Sequence, residues 1–306
     1  SGYMARVAYV MDSIMGKAGL SGKAFLPMIL GFGCTVPAIM ASRALETEKD
    51  RRKTMIVTPF MSCSARLPVY VLFSGLFFGK YALVAALSMY LIGLIVAILV
   101  SRIIYIFDKK KKNDSLLIEL PEYKRPNGRT IRIYVWNKLK DYLTKAGTTI
   151  FIASIVIWFV LNFGKTGMIQ DPSMSFGAMI GRWLEPVMAP CGLGMWQIVV
   201  SLIAGISAKE IVVSSFNVLF GVGSGVAASG VSAITENLRN IDPSFGPLNA
   251  YCMMLFVLLY VPCAATVATI KKESNSLSFT LKLVLFQILL AWGVATLVFQ
   301  IGRLFL

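Results

Sequence analysis

Hydrophobic residues in this chain fall into long uncharged runs separated by charged turns. Tyr81–Ser101 and Ala250–Ile270 each hold 21 uncharged residues, Leu283–Gly302 holds 20 and Ala146–Gly164 holds 19. About 20 helical residues cross the hydrocarbon core of a bilayer, so these runs predict spanning helices. The alternating ten-residue segments of a membrane barrel do not occur. Two further runs carry their own breakers. Ala24–Ser42 is uncharged but contains Gly31, Gly33 and Pro37, and residues 54–78 contain "PFMSCSARLP" at 59–68. The predicted fold class is therefore an all-α polytopic membrane protein with broken or re-entrant helices.

The interruptions recur. "GFGCTVPAIMAS" (31–42) pairs loosely with "GISAKEIVVSS" (205–215), and "SCSARLPVY" (62–70) with "PCAATVATI" (262–270). Paired broken segments in corresponding halves point to the central site of a transporter. The chain accordingly divides into a first repeat at 1–107, a cytoplasmic loop with an interfacial amphipathic helix at 108–145, a spanning helix plus external loop at 146–190, and a second repeat at 191–306. Within 131–146, Ile131, Val135, Leu139 and Tyr142 share one side, the pattern of a helix lying on a membrane surface. Whether 191–220 spans or re-enters is open on the pattern alone.

Composition sharpens this picture. The chain of 306 residues is 57% hydrophobic and carries a formal charge of +15. Seventeen of its thirty basic residues lie in 43–53 and 102–145. These loops are separated by two predicted spans, so they share a face, and positive charge makes that face cytoplasmic. Attraction to anionic membrane lipid accounts for the charge better than a nucleic acid does. There is no histidine, which removes Ser-His and Cys-His catalysis and the commonest metal ligand. "KAGLSGKA" (17–24) imitates a phosphate loop but has Lys17 for the first glycine and Ala24 for the Mg2+-binding hydroxyl. "GVGSGVAASG" (221–230) reads as a flexible segment. The opening residues lack the order of a signal peptide and an initiator Met, which suggests one part of a longer protein.

Candidate chemistry lies at the breaks. A charged residue at membrane depth costs roughly 2.5–3.5 kcal/mol on insertion scales, so Arg66, Lys209 and Glu210 are expected to face a cavity or a partner. Lys209 and Glu210 are neighbours and point about 100° apart on a helix; Glu210 is the better cation ligand. Of the five cysteines, Cys34, Cys63 and Cys263 each stand beside a helix breaker. Thiolates favour soft or borderline first-row metals over Mg2+ or Ca2+. No C-x-x-C pair supports a permanent zinc site, so a transient sulfur and oxygen site for a moving metal fits better. Gly31, Gly33, Thr35, Pro37, Ser62, Ser64, Arg66 and Lys209 are read as lining the path.

"ILGFGCTVPAIMASRALETEKDRRKTMIVTPFMSCSARLPVYVLF" (29–73) closely resembles the gate region of the ferrous-iron transport protein B family. "SGYMARVAYVMD" (1–12), "AKEIVVSSFNVLF" (208–220) and "LLYVPCAATVATIKKES" (258–274) resemble further landmarks of the same permease. The resemblance implies two gate-type repeats in a bacterial inner membrane, with Fe2+ as the transported substrate and no permanently bound cofactor. It implies that GTP and Mg2+ act only through an N-terminal GTP-binding domain outside this sequence. Small accessory proteins of the ferrous-iron system are further expected partners, and a homo-oligomer is compatible. By position, Cys34 and Cys63 inherit the suspected ligand role and Cys263 a weaker one. Thr35 and Ser64 depart from the family's usual Asn and Gly, and both keep or add an oxygen. The competing readings are a carrier of a small organic solute such as a nucleoside, a membrane enzyme with a cysteine nucleophile, and a passive anchor. The gates offer few Asn or Gln for a solute, and the missing histidine disfavours the enzyme.

Overall fold

The computed structural model describes residues 2–107, 127–164, 167–168, 172–220, 238 and 245–305. The basic run 108–114 and the Gly/Ser segment 221–230 lie outside the described residues. Among the described residues the chain is helical apart from a two-residue hairpin, Phe163–Gly164 with Gly167–Met168. Its helices are α1 (Tyr3–Lys17), α2 (Phe25–Gly33), α3 (Thr35–Ala41), α4 (Glu48–Val57), α5 (Leu67–Phe78), α6 (Ala82–Phe107) and α7 (Gly128–Asn162). They continue as α8 (Phe176–Met188), α9 (Trp196–Ala204), α10 (Ile211–Leu219), α11 (Pro247–Leu259), α12 (Ala264–Ser274) and α13 (Leu277–Phe305).

Glu48–Phe107, Pro247–Ser274 and Leu277–Phe305 are long and apolar enough to cross a membrane. The pair Phe176–Cys191 and Trp196–Ala204 is bent by 101° and adds a fourth crossing if it counts as one span. The protein is an all-α polytopic membrane protein. Pro247–Ser274 has 78% of its most apolar window buried, against 17% for Leu277–Phe305. In hydrocarbon an apolar side chain has no reason to hide, so the second helix is read as lipid-facing. α6 shows the same character, with Leu83, Leu87, Leu91, Ile95, Ile98 and Ile106 exposed.

The backbone groups two compact units: 1–64, 92–149 and 265–281 form one, and 65–91, 150–264 and 282–306 the other. These interleave the sequence repeats, because α6, α7 and the α11–α12 pair each pass from one unit to the other. In the first unit, Thr47 caps α4 by accepting from the Asp50 amide at 3.1 Å, and acidic Glu48 and Asp50 occupy the first turn, where they complement the helix dipole. Arg43 grips Glu273 through two nitrogens, each 2.5 Å from a carboxylate oxygen. Arg51 adds a bond to the Glu273 carbonyl at 3.2 Å. Glu273 also borders a cavity of about 210 Å³ together with Met40, Thr148 and Thr269.

In the second unit, α5 packs along α10 and α11 through Phe73–Phe216 and Phe78–Tyr251 ring contacts, and Phe77 meets Phe245 just before α11. The corner between α8 and α9 turns at Gly192, whose φ is +72°. A Cβ there would stand 2.2 Å from the Phe299 ring, so only glycine fits. Asn249 donates to the Gly192 carbonyl at 2.7 Å, Trp292 to Val187 O at 2.8 Å and Gln300 to Pro190 O at 3.2 Å.

Two expectations meet a different structure. The stretch 131–146 and the run 146–164 are parts of one helix, α7, with no break at 146; no glycine pair or proline interrupts that stretch, so helix propagates through it. Ile131, Val135 and Leu139 are exposed on it. The "GLFFG" stretch (75–79) carries the G-x-x-x-G spacing of close helix packing, but a Cβ added at Gly75 or Gly79 would meet nothing within 4 Å. Gly79 ends α5 with φ of +47° instead.

Candidate functional site

The first break falls at Cys34 alone. α2 runs through Gly31 to Gly33, Cys34 adopts extended backbone at φ −149° and ψ 130°, and α3 begins at Thr35. Pro37 causes the break from the far side. In an unbroken helix its amide would bond to the Gly33 carbonyl, but proline has no N–H. As the third residue of α3, where donors are unpaired anyway, it costs little. The released Gly33 carbonyl accepts a hydrogen bond from the Ser64 hydroxyl at 2.8 Å. Gly31 is a site of close approach rather than a breaker. A Cβ there would meet Met61 Cβ at 3.0 Å, whereas one at Gly33 would meet nothing within 4 Å.

Ser64 belongs to the second broken helix of the same unit. α4 tightens into a 3-10 turn at Thr58–Phe60, the backbone extends at Met61, and helix resumes through Ser64–Arg66 into α5. Pro59 and Pro68 stand on either side of that extended stretch. One hydrogen bond thus ties the residue before Cys34 to the residue after Cys63. We call this the first junction. Cys34 is half-buried, Cys63 is 8% exposed, Ser62 and Thr35 are buried, Pro37 is half-buried and Ser64 is exposed.

The second junction repeats the plan. α9 ends at Ala204, residues 205–210 turn, and α10 resumes at Ile211. α11 ends at Leu259, Tyr260–Cys263 are non-helical, and α12 resumes at Ala264. The Ala264 amide donates to Ile206 O at 2.7 Å. The Lys209 ammonium donates to the Val261 carbonyl and lies 3.3 Å from the centre of the Tyr260 ring. Tyr260 fixes that ring by donating from its hydroxyl to Leu202 O at 3.2 Å. Arg66, only 1% exposed, and Cys263 both lie within electrostatic reach of the Tyr260 phenol.

Each sequence-derived candidate can now be placed. Cys34, Cys63, Ser64, Gly33, Gly31, Thr35, Pro37 and Ser62 gather at the first junction. Lys209 is buried in the second, Cys263 is half-buried beside it, and Glu210 is exposed at the start of α10. Among the described residues, no three Cys, Asp or Glu side chains converge as a metal-binding group. Cys191 lies 3.1 Å from the Thr296 hydroxyl and Cys252 reaches Ala295 O at 3.8 Å; both are fully buried packing thiols. Tyr260 escaped the sequence reading. Its signal is the aromatic residue immediately before the "VPC" break, opposite a buried lysine.

A chain built from paired broken helices, hydrogen-bonded break to break, has the architecture of a membrane gate. The Gate family, described as nucleoside recognition, matches residues 1–77 and 143–277, and the ferrous iron transport protein B C terminus matches 86–138. The chain belongs to the Gate family. It is 43% identical over its whole length to a Staphylococcus aureus protein named Fe(2+) transporter FeoB, covering 44% of that protein. It is 40% identical over 99% of its length to a Methanocaldococcus jannaschii protein of the same name, covering 45% of it. A Campylobacter jejuni relative so named is 38% identical over the whole chain, which covers 51% of it. The chain therefore spans about half the length of these relatives. No solved structure matches it.

Proposed function

We propose that this chain is the permease part of a ferrous-iron transporter of the bacterial cytoplasmic membrane. The observation that carries the reading is the Ser64–Gly33 bond, which holds two helix breaks together with a cysteine at each. Fe2+ passing the first junction would meet the Cys34 and Cys63 sulfurs, with the Ser64 hydroxyl and the Gly33 carbonyl as oxygen ligands in reach of the same break. Two sulfurs and neutral oxygens bind a borderline cation loosely enough for release, which conduction requires. In the second unit, taken by itself, Cys263 and Glu210 are the proposed metal contacts. Gly31, Thr35, Pro37 and Ser62 shape the first junction, and Arg66 and Lys209 are the proposed supports within the second unit.

The reading is supported by relatives named Fe(2+) transporters that cover the whole chain. A carrier of nucleosides is less well supported, since the C-terminus match to ferrous iron transport protein B falls within this chain. GTP and Mg2+ would act through an N-terminal GTP-binding domain elsewhere in the full protein. A Porphyromonas gingivalis relative is named as a fusion of Fe(2+) transport protein A with FeoB, which fits a small accessory partner. The test is Fe2+ flux into vesicles carrying the full-length protein. Cys34→Ser with Cys63→Ser should lower flux at least tenfold; undiminished flux in the double variant would remove sulfur from the mechanism.

A further inference from the structure

The second junction contains a cation of its own. Lys209 is 2% exposed, and its ammonium meets the Tyr260 ring and the Val261 carbonyl, which belong to residues that are 4% and 5% exposed. A carbonyl released by a helix break, set beside an aromatic face, is the chemistry that recognises an ammonium group.

Two hydrogen bonds hold this frame without using Lys209. Ala264 N to Ile206 O, at 2.7 Å, joins the two breaks, and Tyr260 Oη to Leu202 O, at 3.2 Å, orients the ring. The frame is therefore defined by the surrounding backbone, and the lysine fills it.

We propose that the second junction is a cation-binding site of the ammonium class, occupied in cis by Lys209, and that a chain lacking this side chain's charge takes up a small primary alkylammonium ion in its place. Lys209→Ala removes the atoms from Cγ to Nζ, and n-propylammonium has the same three carbons and one nitrogen. This inference does not rest on the transport reading, because its test reads stability rather than flux.

The experiment is thermal unfolding of the full-length protein in detergent, with n-propylammonium chloride titrated against potassium chloride at matched ionic strength. Lys209→Ala should lower Tm by about 5–10 °C. Millimolar n-propylammonium should restore at least half of that loss, and potassium none. The unsubstituted protein should respond to neither. An equal response of the variant and the unsubstituted protein, or an unchanged Tm in the variant, overturns the proposal. Should Lys209→Ala fail to fold, Tyr260→Phe and Tyr260→Leu provide the second test. Both lose the hydroxyl bond to Leu202, but only leucine loses the ring. Tyr260→Leu should melt several degrees below Tyr260→Phe, and the gap should shrink in a Lys209→Met background, where the ring no longer faces an ammonium. A gap that persists unchanged in that background overturns the proposal.

Discussion

The two junctions share a plan and differ in what fills them. At the first, the link is a neutral hydroxyl on an exposed carbonyl, with a half-buried and a nearly buried thiol on either side. At the second, a backbone amide makes the link and a buried ammonium occupies the freed carbonyl. A broken helix in a membrane must satisfy its released carbonyls from somewhere. The second junction does so permanently from its own chain. The first does so with a weak, replaceable donor, and that is the condition under which an arriving cation can compete. On the proposed reading, the same backbone device serves as a fixed support where a charge is built in and as a passage where it is not.

Several substitutions put this contrast to the test. The largest expected effect on stability is Lys209→Met. It leaves the Val261 carbonyl without its ammonium and the Tyr260 ring without its cation, a loss of about 2–4 kcal/mol, readable as a drop in Tm. Cys34→Ser with Cys63→Ser should move Tm by under about 2 °C while flux falls, so the two junctions separate cleanly by readout. Next is Gly31→Ala, which drives a methyl against Met61 Cβ and should cost about 1–3 kcal/mol. Gly33→Ala, with open space around it, should leave packing unchanged; equal losses at the two glycines in a denaturation series would refute the close-approach role. Glu273→Gln weakens the grip of Arg43, whose side chain is 44% exposed. Solvent screening therefore limits the expected loss to about 1–2 kcal/mol, and high salt should shrink it further. The smallest effect is Ser64→Ala, which removes one exposed bond worth about 0.5–1 kcal/mol. It should leave Tm nearly unchanged and alter the apparent metal affinity measured by flux at varied Fe2+.

The membrane class and the broken helices were legible because both are one-dimensional signals: uncharged run length, and proline or glycine inside a run. The location of the first break was less so. "GFGCTVP" offers three breakers, and the outcome depends on which backbone bond is lost. Pro37 acts four residues upstream, on Gly33, while Gly31 remains helical and serves a packing contact visible only in three dimensions. Arg43 with Glu273 joins residues 230 positions apart, and Tyr260 with Lys209 joins residues 51 apart; no local pattern announces either. The continuity of α7 was hidden because its polarity changes near residue 146 while its helix propensity does not.

The glycine corner at residue 192 sets a boundary on motion. A φ of +72°, an aromatic ring filling the space a side chain would need, and donors from Asn249, Trp292 and Gln300 on the nearby carbonyls together forbid that elbow from straightening. α8 and α9 must then travel as one angled piece. The bend between these two helices is a rigid bracket rather than a flexing joint.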